Sequence, residues 1–182
     1  SHDEDGFLSE LVGGDEGKLK VAAALQMTVK GQPVIYYGEE IGRSGKNADF
    51  GRGIEGTNRS DMPWDQVETK ADLLDHYKKL LHIRGKYSGV FAKGSHAKLA
   101  GGDADGWLFF TRAYGGRTVI VGLNTAESAK TVTLDVPFEP GTEVRDEYSG
   151  AVRVVDADGR IELELPGRYD GGTVILAAVE AG

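Results

Sequence analysis

Cysteine is absent from the 182-residue chain, which excludes disulfides and thiolate metal sites and leaves the compartment open. Basic residues are in deficit: 21 Lys and Arg stand against 29 Asp and Glu, a net charge of −8. That balance argues against a nucleic-acid partner, whose phosphates need a basic surface. No apolar run is long enough to span a bilayer, and the N-terminus carries no signal-peptide pattern, so no membrane partner is expected and localisation stays open. Prolines number only 5 and aromatics make up 8% of the chain. Glycine is the residue in excess, at 27 positions, which announces many tight turns. The length allows one or two domains with a real core.

The chain is organised around Gly31-Gln32-Pro33-Val34-Ile35-Tyr36-Tyr37-Gly38-Glu39-Glu40-Ile41-Gly42. Gly-Gln-Pro breaks the helical pattern before it, and Val34–Tyr37 reads as a short strand buried on both faces. Upstream, Asp15 to Val29 reads as a helix: Asp15 is a candidate N-cap, and Leu19, Ala22, Ala23, Leu25, Gln26 and Val29 form its apolar face. Gly31 stands where a C-cap is wanted. Downstream, Arg43 to Lys70 is a long loop rich in Gly, Asn, Asp and Arg, a kind that is usually functional or disordered.

Lys70 to Tyr87 is the clearest helix, with Leu73, Leu74, Tyr77, Leu80, Leu81 and Arg84 on one face and Gly89 as its end. His76 and His82 are spaced wrongly for one metal on one helical face and read as surface or packing residues. No cofactor or metal site is expected. From Phe91 the period turns to alternation, giving strands at 107–111, 118–124, 131–136, 152–155, 160–165 and 173–179. Tyr114-Gly115-Gly116-Arg117 and Asp156-Ala157-Asp158-Gly159 read as hairpin turns, the second in preference to a calcium loop. This spacing predicts an antiparallel β-sandwich.

The wording Gly-x-Pro-x-Ile-Tyr-Tyr-Gly-x-Glu at 31–40 resembles the eighth-strand signature of the alpha-amylase family of glycoside hydrolases. Two further segments agree. His2-Asp3, about thirty residues upstream, resembles the family's His-Asp after the seventh strand, although Ser1 stands where Asn is commoner. Without the resemblance, Ser1-His2 would read as a cloning scar and the acidic residues as a solvated helix start. Asn58-Arg59-Ser60-Asp61-Met62-Pro63-Trp64-Asp65 resembles the Arg-x-x-Met-x-Trp-Asp segment that follows the eighth strand in oligosaccharide-cleaving members. The overall wording resembles pullulanase-type and neopullulanase-like enzymes.

The resemblance implies an α+β fragment: the last βα units of a TIM (β/α)8 barrel over 1–91, followed by an all-β sandwich domain over 92–182. It implies that Asp3 is a stabilising catalytic carboxylate and that His2, Arg59 and Trp64 contact an α-glucan or maltooligosaccharide. Trp64 could equally pin the loop to the barrel, with Met62, and that packing role is the preferred one. Family members cleave with retention through a carboxylate nucleophile and a carboxylic acid on earlier strands. Neither is found here, and Glu39 and Glu40 do not take those roles by default. The chain therefore reads as an inactive C-terminal portion, a proteolytic remnant or a deliberately shortened chain, able to self-associate through the exposed barrel remnant. The alternative is a noncatalytic carbohydrate-binding or interaction module centred on the sandwich, with at least one of Trp107, Phe109 and Phe110 facing outward.

Overall fold

The computed structural model describes residues 1–179; residues 180–182, which close the expected domain 92–182, lie outside the described residues. Asp15 caps the first helix, α1 (Glu16–Thr28), by accepting from the Lys18 N–H. Its buried side is Leu19, Val21, Ala23, Ala24 and Met27. The expected face was partly misjudged, since Leu25 is exposed: this helix is covered on two sides, so a single stripe does not describe it. Helix α2 (Ala71–Lys86) lies alongside and buries Leu73, His76, Tyr77, Leu80 and Ile83, whereas Leu81 points outward. Gly89 does not end this helical stretch. A third short helix, α3 (Ser88–Lys93), follows and buries Val90 and Phe91.

Eight strands follow: β1 (Ser95–Gly102), β2 (Trp107–Tyr114), β3 (Arg117–Asn124), β4 (Lys130–Asp135), β5 (Glu143–Asp146), β6 (Val152–Val154), β7 (Arg160–Leu165) and β8 (Thr173–Ala178). Strands β1 and β5 have weak hydrophobic signals. The first is an edge strand of small and polar residues with an exposed first half, and the second carries only Val144 as an apolar residue. A six-stranded antiparallel sheet runs in the order β1-β2-β3-β8-β5-β6, and β4-β7 forms a second, two-stranded sheet. Gly115 and Gly116, at φ of 60° and 81°, make the two-residue turn that sets Tyr114 opposite Arg117. Asp156 to Gly159 is also a turn, held by Asp156 Oδ1, which accepts from the Asp158 and Arg160 N–H groups at 2.9 and 2.8 Å. It is not a hairpin, because β6 pairs with β5 and β7 with β4. The turn carries the chain from one sheet to the other.

The large sheet is covered on both faces. Phe110, Val119, Val121, Leu123 and Ile175 pack with residues of α1, α2 and α3 in one continuous core. Phe109, Ile120, Val174 and Leu176 pack against Leu134, Ile161, Leu163 and Leu165 in a second core. Phe109 and Phe110 are both fully buried, so neither forms an outward aromatic platform. Consecutive strand residues point to opposite faces, and here each face meets a layer.

Two buried polar devices tie the helices to the sheet. Arg112 on β2, fully buried, donates to the carbonyls of Thr28 at 2.7 Å and of Ser95, Phe91 and Gly94 at 3.0 Å. It thereby caps the carboxyl ends of α1 and α3, where the helix dipoles favour a cation. His76 on α2 sits between the Lys20 carbonyl, 2.9 Å from Nε2, and the Tyr148 hydroxyl, 2.7 Å from Nδ1. A carbonyl only accepts, so Nε2 carries the proton and Nδ1 accepts from Tyr148.

Burial, reinforced by the charges of Lys20 and Lys79, draws the His76 pKa from 6.5 down to about 4, although the Lys20 carbonyl and Asp72 oppose this. The unfolded chain therefore binds more protons between those values, and stability is lost as pH falls through that window. The loss is about 2 kcal/mol by pH 5. Urea unfolding of the chain and of His76→Gln at pH 7 and pH 5 checks this: the variant should show the flatter pH dependence. Equal slopes would remove His76 as the cause.

Candidate functional site

The expected strand Val34–Tyr37 forms no ladder, and Val34 is 74% exposed, not buried on both faces. A strand exists through partners, and among the described residues no neighbouring strand lies beside it. Its backbone is held by side chains instead. Gln26 Nε2 donates to the Val34 carbonyl at 2.9 Å, and Arg43 Nη1 donates to the Tyr37 carbonyl at 3.3 Å.

Gly38, at φ of 80°, turns the chain into a short helical turn, Glu39–Ile41, which brings Arg43 back beneath Tyr37. The Arg43 guanidinium, almost fully buried, stacks 3.8 Å from the Tyr37 ring centre. It also donates to the Tyr37 hydroxyl at 2.6 Å and to the carbonyls of Asn58 and Ser60 at 2.8 and 2.7 Å. The long loop is thereby folded onto the signature segment.

The loop is ordered by its own bonds as well. Thr57 and Asn58 donate backbone N–H groups to the Lys46 carbonyl, and Asp49 pairs with Ile54. Gly45 lies where any Cβ would come within 2.6 Å of the Thr57 carbonyl, so the two runs of loop approach as closely as backbone allows. The N-terminal turn rests on this platform, with the Gly6 N–H donating to the Gly45 carbonyl at 2.7 Å.

Three of the four sequence-predicted site residues meet there. His2 Nε2 lies 3.0 Å from Asp3 Oδ2. Arg59 donates through Nη2 to Asp3 Oδ1 at 3.4 Å and through Nε to the His2 carbonyl at 3.3 Å. All three side chains are more than half exposed, so these contacts add little to stability and leave the groups open to a ligand. Asp3 opens on a cleft of about 810 Å³ lined also by Glu4, Asp5, Asn47, Asp49 and Arg52.

Trp64 stands apart, on the turn Trp64–Gln66, with 74% of its surface exposed. Trp64 is thus unpacked within this chain, whereas the Met62 sulfur lies beside Gly38.

The sequence reading missed the scaffold. Asn58 is 2% exposed, and its Nδ2 lies 3.1 Å from the His2 carbonyl, 3.0 Å from the Glu4 carbonyl and 3.2 Å from Asn47 Oδ1. Asn47 Nδ2 donates to the Asp3 carbonyl, and the Asn47 N–H to Asp5 Oδ1, both at 2.8 Å. Asn58 adjoins Arg59 in the segment already singled out, and Arg43 stands in the Gly42-Arg43-Ser44-Gly45 wording that follows the signature, but local pattern gave neither a role.

Below the turn, a cavity of about 110 Å³ is lined by Asp5, Tyr36, Glu39, Arg43 and Asn58 among others. Burial pushes the Glu39 carboxyl above the usual carboxylate range, with Glu40 adding to the rise. Among the described residues no group of three or more His, Asp or Glu side chains is arranged to hold a metal ion. None of the helices is long and apolar enough to cross a membrane among the described residues.

Residues 1–86 match the family model of the alpha amylase catalytic domain. Neopullulanase 2 of Thermoactinomyces vulgaris is 32% identical over 91% of this chain and 26% of its own length. A cyclomaltodextrinase of Geobacillus thermopakistaniensis is 32% identical over 75% of this chain and 22% of its own. An amylopullulanase of Thermoanaerobacter thermohydrosulfuricus is 33% identical over 87% and 11%. The chain thus spans about a quarter or less of these relatives. Among solved structures, an Anoxybacillus alpha-amylase superposes with a TM-score of 0.73 at 25% identity, covering 100% of this chain and 37% of that one. A cyclomaltodextrinase gives 0.76 at 25% identity, covering 98% and 28%. Residues 1–86 thus match the alpha amylase catalytic-domain family, and over most of its length the chain is similar to glycosidases of the neopullulanase, cyclomaltodextrinase and amylopullulanase type.

Proposed function

We propose that this chain is the C-terminal portion of a retaining glycoside hydrolase acting on α-glucans at α-1,6 bonds, α-1,4 bonds or both. Residues 1–91 are read as the last βα units of its barrel and 92–182 as its β-sandwich domain. The observation that carries this reading is the convergence of His2 and Arg59 on Asp3, which opens on a cleft, inside the segment that matches the catalytic-domain family.

Retaining cleavage passes through an oxocarbenium-like transition state, whose positive charge a fixed carboxylate stabilises. Asp3 supplies that carboxylate. His2, beside it, hydrogen-bonds a sugar hydroxyl, and Arg59 holds both the Asp3 side chain and the His2 main chain. Trp64, with its ring exposed, offers a face on which a pyranose can stack. The nucleophile and the general acid belong to earlier strands of the barrel. Those strands also cover Val34 and Tyr37; in the isolated chain, a second copy of the same segment is the partner that would cover them.

The isolated 182-residue chain is expected to release no reducing sugar from starch, pullulan or maltooligosaccharides. A pure preparation assayed against a buffer blank tests this. Turnover above the blank would mean that a nucleophile and an acid lie within these residues, and the role assignments would fall.

A further inference from the structure

We infer that Asn58, assisted by Asn47, is the positioning residue for the Asp3 carboxylate; the inference rests on the catalytic role proposed for Asp3. The two amides grip the main chain on both sides of Asp3. Asn58 Nδ2 has only acceptors around it: the His2 carbonyl, the Glu4 carbonyl and Asn47 Oδ1 at 3.1, 3.0 and 3.2 Å. An amide flip would set its oxygen against three oxygens, so the orientation of the group is fixed. Asn47 takes the one carbonyl between those two, that of Asp3, at 2.8 Å.

Asn58 is itself immobilised. Its N–H donates to the Lys46 carbonyl at 3.1 Å, and its carbonyl accepts from Arg43 at 2.8 Å. Arg43 is in turn stacked on Tyr37. A continuous set of bonds therefore runs from the Tyr-Tyr-Gly signature through Arg43 and Asn58 to the turn bearing Asp3. Asn58 is 2% exposed, so it acts on Asp3 through the backbone and not through a ligand. Arg59 cannot do this alone, because its contact with the carboxylate is a single exposed bond at 3.4 Å.

A carboxylate shifted by a fraction of an ångström loses alignment with the charge it stabilises. In the full-length enzyme, Asn58→Ala should lower kcat by about 10- to 100-fold while KM moves by less than about threefold. Asn47 is half-buried and less demanding on the fold, and Asn47→Ala should give a smaller fall of the same kind. Asn58→Asp adds a distinguishing signature. Its carboxyl can donate to a carbonyl only when protonated, so its activity relative to wild type should rise as pH falls. Asp3→Asn, measured alongside, separates the two claims. If Asp3→Asn retains kcat, the proposed role of Asp3 fails. If Asp3→Asn is impaired while both alanine variants keep wild-type kcat, the positioning inference alone is overturned. A fall that merely tracks loss of folded protein, with no pH signature in Asn58→Asp, also overturns it.

Discussion

Asp3→Asn in the full-length enzyme should lower kcat by at least about 100-fold, with the fold intact and KM little changed. Asn keeps the size and the hydrogen-bonding oxygen that Arg59 meets at 3.4 Å, so the local geometry has no reason to collapse. What it removes is the negative charge, and that charge matters most in the transition state, when the sugar ring turns cationic. An interaction made only in the transition state lowers kcat and kcat/KM together when lost. Steady-state kinetics on a soluble maltooligosaccharide, with circular dichroism as the control, gives the answer. A near-normal kcat would leave His2-Asp3 as a solvated polar turn with no catalytic role.

The second large effect concerns the sheet. Arg112→Met should cost about 4 kcal/mol or more, a large share of the stability of an ordinary domain. Methionine fills much of the same space but donates nothing. The carbonyls of Thr28, Phe91, Gly94 and Ser95, at 2.7 to 3.0 Å from the guanidinium, would then stay buried without partners. Each such group costs about 1–3 kcal/mol. Burial, with the charge of Arg84 nearby, draws the Arg112 pKa below the ordinary arginine value. Arg112→Lys should lose less, since an ammonium has three donors but cannot span the planar fork. Urea midpoints for the three proteins decide it, and an unchanged midpoint in Arg112→Met would show that these carbonyls find other donors.

This second case shows why the fold was only partly legible. Arg112 interrupts an apolar strand, and from sequence it would be assigned to solvent. It is buried because α1 and α3 end directly over β2, and their last carbonyls need a donor that no nearby residue in sequence supplies. The aromatic pair Phe109-Phe110 is a similar case. Alternation says that the two point oppositely, but only the presence of a helical layer on one face and β4-β7 on the other decides that both are buried. Strands β1 and β5 escaped notice because an edge strand and a four-residue strand need no apolar stripe.

By itself the sequence determined the parts that rest on local rules. Asp15 caps α1 because an Asp before a helical run meets the N–H three residues on, and Gly115-Gly116 turns β2 into β3 because both residues take positive φ. It also singled out His2, Asp3 and Arg59, through wording that composition and periodicity do not contain. Only the tertiary structure brought those three together across more than fifty residues, and only it showed Arg43, Asn47 and Asn58 holding them. It likewise withheld the strand at Val34–Tyr37. The physical reason is the same throughout: caps and turns are satisfied within a few residues, whereas a ladder, a buried guanidinium or a clamped turn takes its hydrogen-bond partners from distant chain.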